Sequence, residues 1–504
     1  MFIEKITEIN KILHDFIWGA PGLILLIGTG ILMTFCTKFF QITHIRLWFR
    51  ETIGSLFRKN SDSKKKTDKK TISQFQALCT ALAATVGTGN IAGVASAIVV
   101  GGPGAVFWMW VAAFFGMMTS YSEKVLGIYY RRRNADGEWS GGAMYYLKDG
   151  LGSKKGFKNI ASVLAIIFSC FTILASFGIG NMGQVNKITL NIQSAFFSSV
   201  KSVTIGGISV VSLTIGVVLV IIGGLIILGG LQRIAFVAEK IVPFMAGAYI
   251  VGSLTILFIN IGNVGAMFGA IFKFAFTQRA AYGGVIGTII LAMTQGFKRG
   301  MFSNEAGLGS SVMVHSSSNV KEPVRQGLWG IFEVFFDTLI VCTMTAIVIL
   351  SSGYIDLTTG NPIVAKLEDS TLVSRIFGDT FGYAGEVFIA ISLFLFAFTT
   401  ILGWSQYGSK AVEYLFGIKA VKVYKIIFVL MIVSGAIMTS SLAWDISDTF
   451  NGFMMVPNLI AIIALCPVVV KITKNYINRK IKHKDEKPML SYDEKIQAET
   501  EENL

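Results

Sequence analysis

The sequence predicts an all-α integral membrane protein with about eleven transmembrane helices. Of its 504 residues, 53% are hydrophobic and only 15% are charged, and the mean hydropathy is +0.63. Such values are typical of chains that cross a bilayer repeatedly. The apolar stretches are long and continuous, whereas the strands of a membrane barrel are short and alternate between apolar and polar residues. The predicted spans are therefore helices.

One apolar segment contains a break. Residues 77–86 and 91–100 are uncharged and rich in helix formers, but Gly87-Thr88-Gly89-Asn90 separates them. Two glycines weaken a helix and expose its backbone. In a membrane, unpaired backbone groups are tolerated only where they line a protein cavity, so the break predicts an ion or substrate site. The alternative is a packing face of small residues that lets two helices approach closely.

The order of apolar and charged segments predicts the domain organisation. The predicted parts are an N-terminal transmembrane helix outside the core (1–37), a basic cytoplasmic loop (38–72), a first five-helix repeat (73–260), an external loop or surface helix (261–281), a second five-helix repeat (282–473) and a charged cytoplasmic tail (474–504). The tail is poor in apolar residues, which predicts a disordered or loosely helical segment.

The basic residues predict the orientation in the membrane. The formal net charge is +14, but the lysines and arginines are concentrated in a few loops beside apolar spans, such as 64–70 and 131–133. This is the distribution of cytoplasmic loops next to anionic lipid, and it accounts for the charge without a nucleic-acid partner. We therefore expect a multi-pass protein of the cell membrane with its N-terminus outside, its C-terminus in the cytoplasm and 352–382 outside.

The sequence lacks the motifs of catalytic and metal centres. The five cysteines lie in apolar segments without paired spacing, and the four histidines are scattered. Metalloprotease, serine-hydrolase and nucleotide-binding motifs do not occur. These observations argue against an enzyme or an ATP-driven pump, and they predict no cofactor.

The two predicted repeats each open on a segment interrupted by glycine. Gly87 to Asn90 interrupts the first, and residues 295–300 (QGFKRG) interrupt the second. Because each repeat has an odd number of spans, the two lie in the membrane with opposite orientation. Glycine-broken segments at matching places in two inverted halves indicate the binding site of a secondary transporter.

Several motifs resemble the alanine/glycine:sodium symporter family. They are AATVGTGNIAGV (83–94), GGAMYY (141–146), GNMG (180–183), KRGMFSNEAGLGS (298–310) and TTILGW (399–404). The resemblance extends over about residues 70–470. It implies the inverted-repeat fold of the leucine transporter, with two discontinuous helices. It also implies sodium-coupled uptake of a small neutral amino acid, alanine or glycine, by alternating access.

The candidate substrate site follows from the chemistry of a zwitterion. The N–H groups of Thr88 and Gly89 begin the outer half-helix, whose positive dipole end suits a carboxylate. Thr400 and Trp404 are four residues apart on one helix face, so the indole is predicted to limit the side-chain pocket. An ordinary core aromatic is the alternative for Trp404. Further candidates are Asn90, Gly178, Gly180, Asn181, Gln295 and Gly296.

The resemblance also implies a sodium site. The backbone carbonyls of Ala83 and Val86 match the family's backbone ligands, and Thr399 and Thr400 match its hydroxyl ligands. Sodium is a hard cation that prefers oxygen, so this set is chemically suitable. The alternative is that both threonine hydroxyls bond to their own helix.

Glu333 and Asp337 lie one helical turn apart within a predicted span, where ionisable groups are costly. They are predicted either to form a proton or cation relay or, preferably, to bond to partner helices or to Lys240 or Arg299. Asn304 and Glu305 are candidates for an inner gate or a helix cap. Two alternative functions remain open: a proton-coupled carrier of a similar amino acid, and a non-transporting sensor with the same fold.

Overall fold

The computed structural model describes residues 2–58, 70–197, 203–205, 208–277, 285–363, 370–438 and 442–502. The chain begins with helices that precede the predicted repeats. These are α1 (Phe2–Ile17), α2 (Ala20–Cys36), α3 (Phe40–Thr43), α4 (Ile45–Glu51) and α5 (Ile53–Leu56). Helix α1 packs on α2 and on a helix near the C-terminus, Leu442–Ala464.

The next helices correspond to the first predicted repeat. They are α6 (Gln74–Thr85), a 3-10 turn (Thr88–Asn90), α7 (Ala92–Gly101), α8 (Gly104–Tyr129), α9 (Ala143–Tyr145) followed by the π-helical Tyr146–Leu151, α10 (Lys158–Phe177) followed by the π-helical Gly178–Met182, α11 (Gly183–Phe196), α12 (Val210–Ile227) and α13 (Gly230–Ile259). Two short antiparallel hairpins lie between them, formed by Arg132–Arg133 with Trp139–Ser140 and by Thr204–Ile205 with Ile208–Ser209.

The remaining helices correspond to the second predicted repeat and the tail. They are a 3-10 turn (Ile261–Asn263), α14 (Val264–Phe276), α15 (Val285–Asn304), α16 (Val312–His315), α17 (Pro323–Val334) followed by the π-helical Phe335–Cys342, α18 (Thr343–Ser351), α19 (Ser370–Phe381), α20 (Tyr383–Phe416), α21 (Ile418–Ile437), α22 (Leu442–Ala464), α23 (Cys466–Lys480) and α24 (Glu494–Glu502).

The described helices fit a membrane protein. Nine spans in the described residues are long and apolar enough to cross a bilayer, and the pair α6 and α7, bent by 62°, makes a tenth. Helix α15 corresponds to the remaining predicted span. The outer faces of α12, α13 and α21 expose large apolar side chains, including Leu225, Phe244 and Leu430. Such faces are suited to lipid, so the predicted all-α membrane fold is confirmed.

The break in the first discontinuous helix lies where the sequence predicts it. Helix α6 begins with a capping box in which the Ser73 side chain accepts from the N–H of Gln76 and the Gln76 side chain accepts from the N–H of Ser73, both over 3.1 Å. It ends at Thr85, and α7 begins at Ala92. The intervening segment is buried, so its backbone is available to a cavity within the protein.

The second break lies elsewhere than predicted. Helix α15 continues through Gln295 to Gly300 and ends at Asn304. A Cβ at position 296 would lie 2.4 Å from the carbonyl oxygen of Ala105, so this glycine allows α15 to pack closely on α8. The helix is interrupted instead after Asn304, where Glu305, Gly307 and Gly309 have φ of +54°, +94° and +73°.

The tail is more ordered than its composition predicts. The Arg479 guanidinium donates to both carboxylate oxygens of Glu322, over 2.9 and 2.7 Å. The Tyr492 hydroxyl donates to Asp149 over 3.0 Å and accepts from Arg132 over 2.9 Å. Paired charges, together with the buried Leu490, therefore hold the tail against the ends of α8 and α17.

Candidate functional site

The first helix break is organised by the side chain of Asn90. In a continuous helix the N–H of Gly87 would donate to the carbonyl of Ala83, but it donates instead to Oδ1 of Asn90 over 2.9 Å. The N–H of Asn90, which a helix would direct to Val86, donates to the carbonyl of Gly87 over 3.3 Å. The carbonyls of Ala83 and Val86 thus lose their helical donors. These are the two carbonyls that the sequence analysis assigned to sodium.

The second break is organised by Glu123 of α8. Its Oε1 accepts hydrogen bonds from the N–H groups of Gly307 and Gly309, over 3.0 and 3.1 Å, and from Nδ2 of Asn458 over 2.7 Å. The turn holds Glu305 with its carboxylate accepting from the Ser310 hydroxyl over 2.5 Å. A buried carboxylate therefore satisfies the backbone donors that the interrupted helix leaves unpaired.

A small cavity lies between the two breaks, and a water-sized sphere can occupy about 20 Å³ of it. Residues from both discontinuous helices and from α10–α11, α20 and α22 line it: Ala84, Thr85, Gly87, Thr88, Gly89, Ile179, Gln184, Phe302, Ser303, Glu305, Thr400, Trp404 and Asn451. Hydroxyl, amide and backbone groups predominate, and Glu305 is the one charged residue in this lining. We call this space the central cavity.

Four of the candidate substrate residues, Thr88, Gly89, Thr400 and Trp404, line the central cavity. The Thr88 hydroxyl donates to Oε1 of Gln184 over 3.2 Å. Helix α20 approaches α6 closely because Gly403 has no side chain; a Cβ there would lie 2.9 Å from the backbone nitrogen of Ala84. This approach brings the helix that carries Thr400 against the first break.

The two predicted sodium-ligand threonines differ in their surroundings. Both are buried, and each hydroxyl donates to the carbonyl of Phe396 in its own helix, over 3.0 Å from Thr399 and 2.9 Å from Thr400. Oγ1 of Thr400 lies 2.7 Å from where a Cβ of Gly87 would be, so it faces the break. Oγ1 of Thr399 lies 3.7 Å from the sulfur of Met245 in α13. A hydroxyl that donates to its own helix still has lone pairs for a cation.

Trp404 lies between Gly180 and the central cavity. A Cβ at position 180 would lie 2.4 Å from Cβ and Cγ of Trp404, so only glycine leaves room for the indole in this orientation. The ring also packs on Tyr407, with centroids 5.3 Å apart. Gly180 thus acts through the tryptophan instead of lining the cavity itself.

Four other predicted substrate residues do not line the central cavity. Gln295 and Gly296 face α7 and α8. A Cβ at position 178 would lie 1.9 Å from the Ser447 hydroxyl, so Gly178 packs on α22. Asn181 donates to the carbonyl of Phe428 in α21 over 2.6 Å. Spacing along one helix does not reveal which neighbour each face meets, and this is why these residues could not be separated from the lining ones.

The buried acid Asp337 adjoins the first break, although the sequence analysis did not assign it to the site. Its Oδ1 accepts from Nδ2 of Asn90 over 2.7 Å, and its Oδ2 accepts from the hydroxyls of Ser303 and Thr338 over 2.8 and 2.9 Å. Asp337 lies in a π-helical segment, a local widening that is frequent at functional sites. Asn90 therefore contacts this carboxylate rather than the central cavity.

Glu333 contacts side chains of two partner helices, one of the two kinds of partner that the sequence analysis preferred. Its Oε2 lies 3.1 Å from Nζ of Lys124 and 3.2 Å from Nε2 of His315. Lys240 and Arg299 do not take this role, because α8 contributes the buried Lys124. This cluster lies beside the second break and ties α8 to α16 and α17.

Sequence reasoning missed about half of the cavity lining, including Gln184, Phe302, Ser303 and Asn451. Ser303 and Glu305 belong to the motif at 298–310; Glu305, a candidate for an inner gate or a helix cap, lines the cavity together with Ser303, for which the sequence predicts no role. Oδ1 of Asn451 and Oγ1 of Thr85 are buried without a hydrogen-bond partner in the described residues. Such atoms could receive the donors of a ligand or a cation.

A bundle of membrane helices with a polar cavity at two helix breaks defines a class of protein, the secondary transporters of the broken-helix type. The chain matches the Sodium:alanine symporter family over residues 3–490. It therefore belongs to this family, which is a family of transporters and not of enzymes.

Named relatives and a solved structure agree with this assignment. The sodium/alanine symporter AgcS of Methanococcus maripaludis is 42% identical over 475 residues, covering 94% of this chain and 97% of the relative. The probable sodium/glutamine symporter GlnT of Bacillus subtilis is 37% identical over 486 residues, covering 96% and 93%. The crystal structure of MhsT in complex with L-phenylalanine has a TM-score of 0.51 at 14% identity, covering 81% of this chain and 99% of MhsT. The last likeness confirms the predicted fold class.

Proposed function

We propose that this protein is a secondary active transporter that couples uptake of a small neutral amino acid, alanine or glycine, to sodium by alternating access. The observation that carries the proposal is the pair of carbonyls at Ala83 and Val86, released from helical bonding by Asn90 in a segment that packs against the helix carrying Thr400. Carbonyl and hydroxyl oxygens suit sodium. The names of the two relatives, one for alanine and one for glutamine, support an amino acid as the substrate.

The lining of the central cavity suits a zwitterion with a small side chain. The first N–H groups of the outer half-helix, at Thr88 and Gly89, can bind the carboxylate. Glu305 and the oxygen atoms of Ser303 and Asn451 can accept from the ammonium. Trp404 and Phe302 occupy the space that a larger side chain would need. This division of roles favours alanine or glycine over glutamine.

The orientation in the membrane is part of the proposal. Lys70, Arg131, Arg132 and Arg479 lie at one end of the molecule, where each bonds to a neighbouring segment, as Arg131 does to the carbonyl of Ser318 over 2.6 Å. This basic end is proposed to be cytoplasmic. Labelling intact cells with an impermeant thiol reagent tests this, with labelling expected for Thr358→Cys and absent for Ser153→Cys. The reverse pattern would overturn the orientation. The domain boundaries 73–260 and 282–473 stay proposals for the two repeats.

Transport is tested in proteoliposomes under imposed gradients. We expect labelled alanine and glycine to accumulate under an inward sodium gradient and not under a proton gradient alone. Accumulation under the proton gradient would support a proton-coupled carrier, and binding without any accumulation would support a sensor. A panel of neutral amino acids as competitors defines the side-chain limit. Stronger competition by glutamine than by alanine would contradict the proposed substrate.

A further inference from the structure

A second polar cavity of about 140 Å³ adjoins the central cavity. We call it the vestibule. Thr88, Gly89 and Phe302 belong to both linings, and the vestibule is completed by residues that include Lys187, Arg299 and Asp448. A third and larger cavity shares Lys187 with the vestibule and reaches the start of α20, at the end proposed to face outside. A small solute entering from that end would pass through the vestibule first.

The vestibule contains two opposite charges whose hydrogen bonding is incomplete. Nη2 of Arg299 donates to the Ser96 hydroxyl over 3.2 Å, but its Nε is buried without a hydrogen-bond partner in the described residues. Oδ2 of Asp448 lies 3.1 Å from Nε2 of His14, whereas its Oδ1 is likewise buried and unpartnered. Asp448 is only 9% exposed. Buried charged groups are normally paired, so both atoms are suited to a ligand.

The N-terminal helix α1 fixes the position of Asp448. The Trp18 indole N–H donates to the backbone carbonyl of Asp448 over 3.1 Å, and His14 contacts its carboxylate. Nζ of Lys298 lies 3.2 Å from the same His14 nitrogen. These contacts hold Oδ2 on the α1 side and leave Oδ1 for the vestibule. A helix outside the predicted repeats thereby contributes to the access route.

We propose that the vestibule is a transient binding site for the zwitterionic amino acid on its way to the central cavity. The inference rests on the proposed function and adds a second site to it. Arg299 binds the carboxylate, since a guanidinium recognises that group in a bidentate geometry, and Oδ1 of Asp448 accepts from the ammonium. The ring of Phe302 separates the two cavities. Recognition at this site depends on the two charges of the amino acid and not on its side chain.

The test separates a step on the route from a contribution to final affinity. A transient site speeds both entry and exit, so its loss slows association and dissociation together and leaves the equilibrium constant almost unchanged. We expect Arg299→Gln and Asp448→Asn each to lower the association rate constant about tenfold, the scale of electrostatic capture by a charged cleft, with less than a twofold change in equilibrium affinity. Rapid-mixing tryptophan fluorescence of the full-length protein in saturating sodium measures the rates.

Matched variants control for charge and folding. Lys273→Gln and Asp356→Asn remove the same charges from surface positions that do not line the vestibule, and we expect normal rates from both. If Arg299→Gln fails to fold, Arg299→Lys tests the geometry, because lysine keeps the positive charge but cannot bind a carboxylate in the bidentate geometry of a guanidinium. We expect a partial reduction of the association rate constant. Unchanged association in all folded vestibule variants would overturn the proposal. Faster dissociation with normal association would also overturn it and indicate a gate.

The panel of probes distinguishes failure of this inference from failure of the proposed function. Alanine, glycine, serine and leucine are tested with the wild-type protein and with both vestibule variants. The inference expects the same fractional slowing for every amino acid that binds, whichever one binds most tightly. If leucine is the preferred ligand, the proposed substrate is wrong while the vestibule is still tested. If none of the zwitterions binds, both proposals fall.

Discussion

Nδ2 of Asn90 donates a hydrogen bond to Oδ1 of Asp337 over 2.7 Å, and this contact joins the first helix break to the π-helical segment Phe335–Cys342. The same asparagine accepts from the N–H of Gly87. One side chain therefore both releases the carbonyl of Ala83 and donates to a buried carboxylate. Sodium affinity and the geometry of α17 are expected to be coupled through this residue.

Replacing Asn90 with alanine tests that coupling. The variant leaves Oδ1 of Asp337 without its donor, at a cost of about 1–3 kcal/mol for a buried group, and allows the N–H of Gly87 to return to the carbonyl of Ala83. We expect the sodium concentration for half-maximal alanine binding to rise at least about tenfold, which corresponds to about 1.4 kcal/mol. Asn260→Ala is the control, since that side chain bonds within its own helix. If Asn90→Ala and Asn260→Ala require the same sodium concentration for half-maximal alanine binding, the coupling is contradicted.

Replacing Thr400 with valine tests the hydroxyl ligand of the proposed sodium site. Valine keeps the shape and removes the oxygen that faces Gly87, so we expect the sodium titration to shift to higher concentration. Saturating sodium should then restore most of the alanine affinity, because coupling between two ligands is reciprocal. Thr399→Val, beside Met245, should give the smaller shift. If neither titration moves in folded protein, the sodium site lies elsewhere.

Trp404 and Gly180 are expected to act together on substrate size. Trp404→Ala should improve the binding of serine and valine relative to that of glycine. The gain in binding free energy should be about 1–3 kcal/mol for each methylene that now fits. Gly180→Ala should push the indole towards the central cavity and weaken the binding of alanine more than that of glycine. Competition of neutral amino acids against labelled glycine measures both effects. An equal loss of affinity for all substrates would show that the role of the tryptophan is structural only.

Gly296 is predicted to matter for packing and not for substrate binding. An alanine there would place Cβ 2.4 Å from the carbonyl oxygen of Ala105, and overpacking of this kind costs about 1–3 kcal/mol. Gly287→Ala on the same helix is the control, since nothing lies within 4 Å of its Cβ position. Thermal unfolding in detergent should show a lower transition temperature for Gly296→Ala alone. A change in substrate affinity at unchanged stability would restore Gly296 to the site.

The contact between Glu322 and Arg479 is predicted to hold the tail in place. Their side chains are 6% and 9% exposed, so Glu322→Gln leaves a nearly buried guanidinium with a weaker partner. We expect a loss of about 1.5–3 kcal/mol, the range for hydrogen bonds to charged groups. Chymotryptic cleavage after Leu490 and Tyr492, sites that neither variant changes, should become faster. Lys480→Gln is the control, because that side chain is 48% exposed and 4.0 Å away; similar proteolysis of both variants would contradict the prediction.

The sequence by itself determined the membrane fold, the position of the first break and the family. Composition and long apolar runs are local properties, and Gly87 to Asn90 interrupts a helix wherever its neighbours lie. Thr88, Gly89, Thr400 and Trp404 line the central cavity; two of them mark the break, and the other two share a helix face in the motif at 399–404. These inferences needed no knowledge of which helices pack together.

Only the tertiary structure decided how glycines, acids and the tail are used. Gly296 and Gly307 are both glycines in or near one apolar segment, but the first lies against α8 and the second takes a positive φ at the break. Glu333 meets Lys124 because α8 and α17 pack side by side. The composition of the tail predicted little structure, yet Arg479 finds Glu322 more than a hundred residues away. Such pairings depend on long-range packing, and the pattern of one segment does not encode its partner.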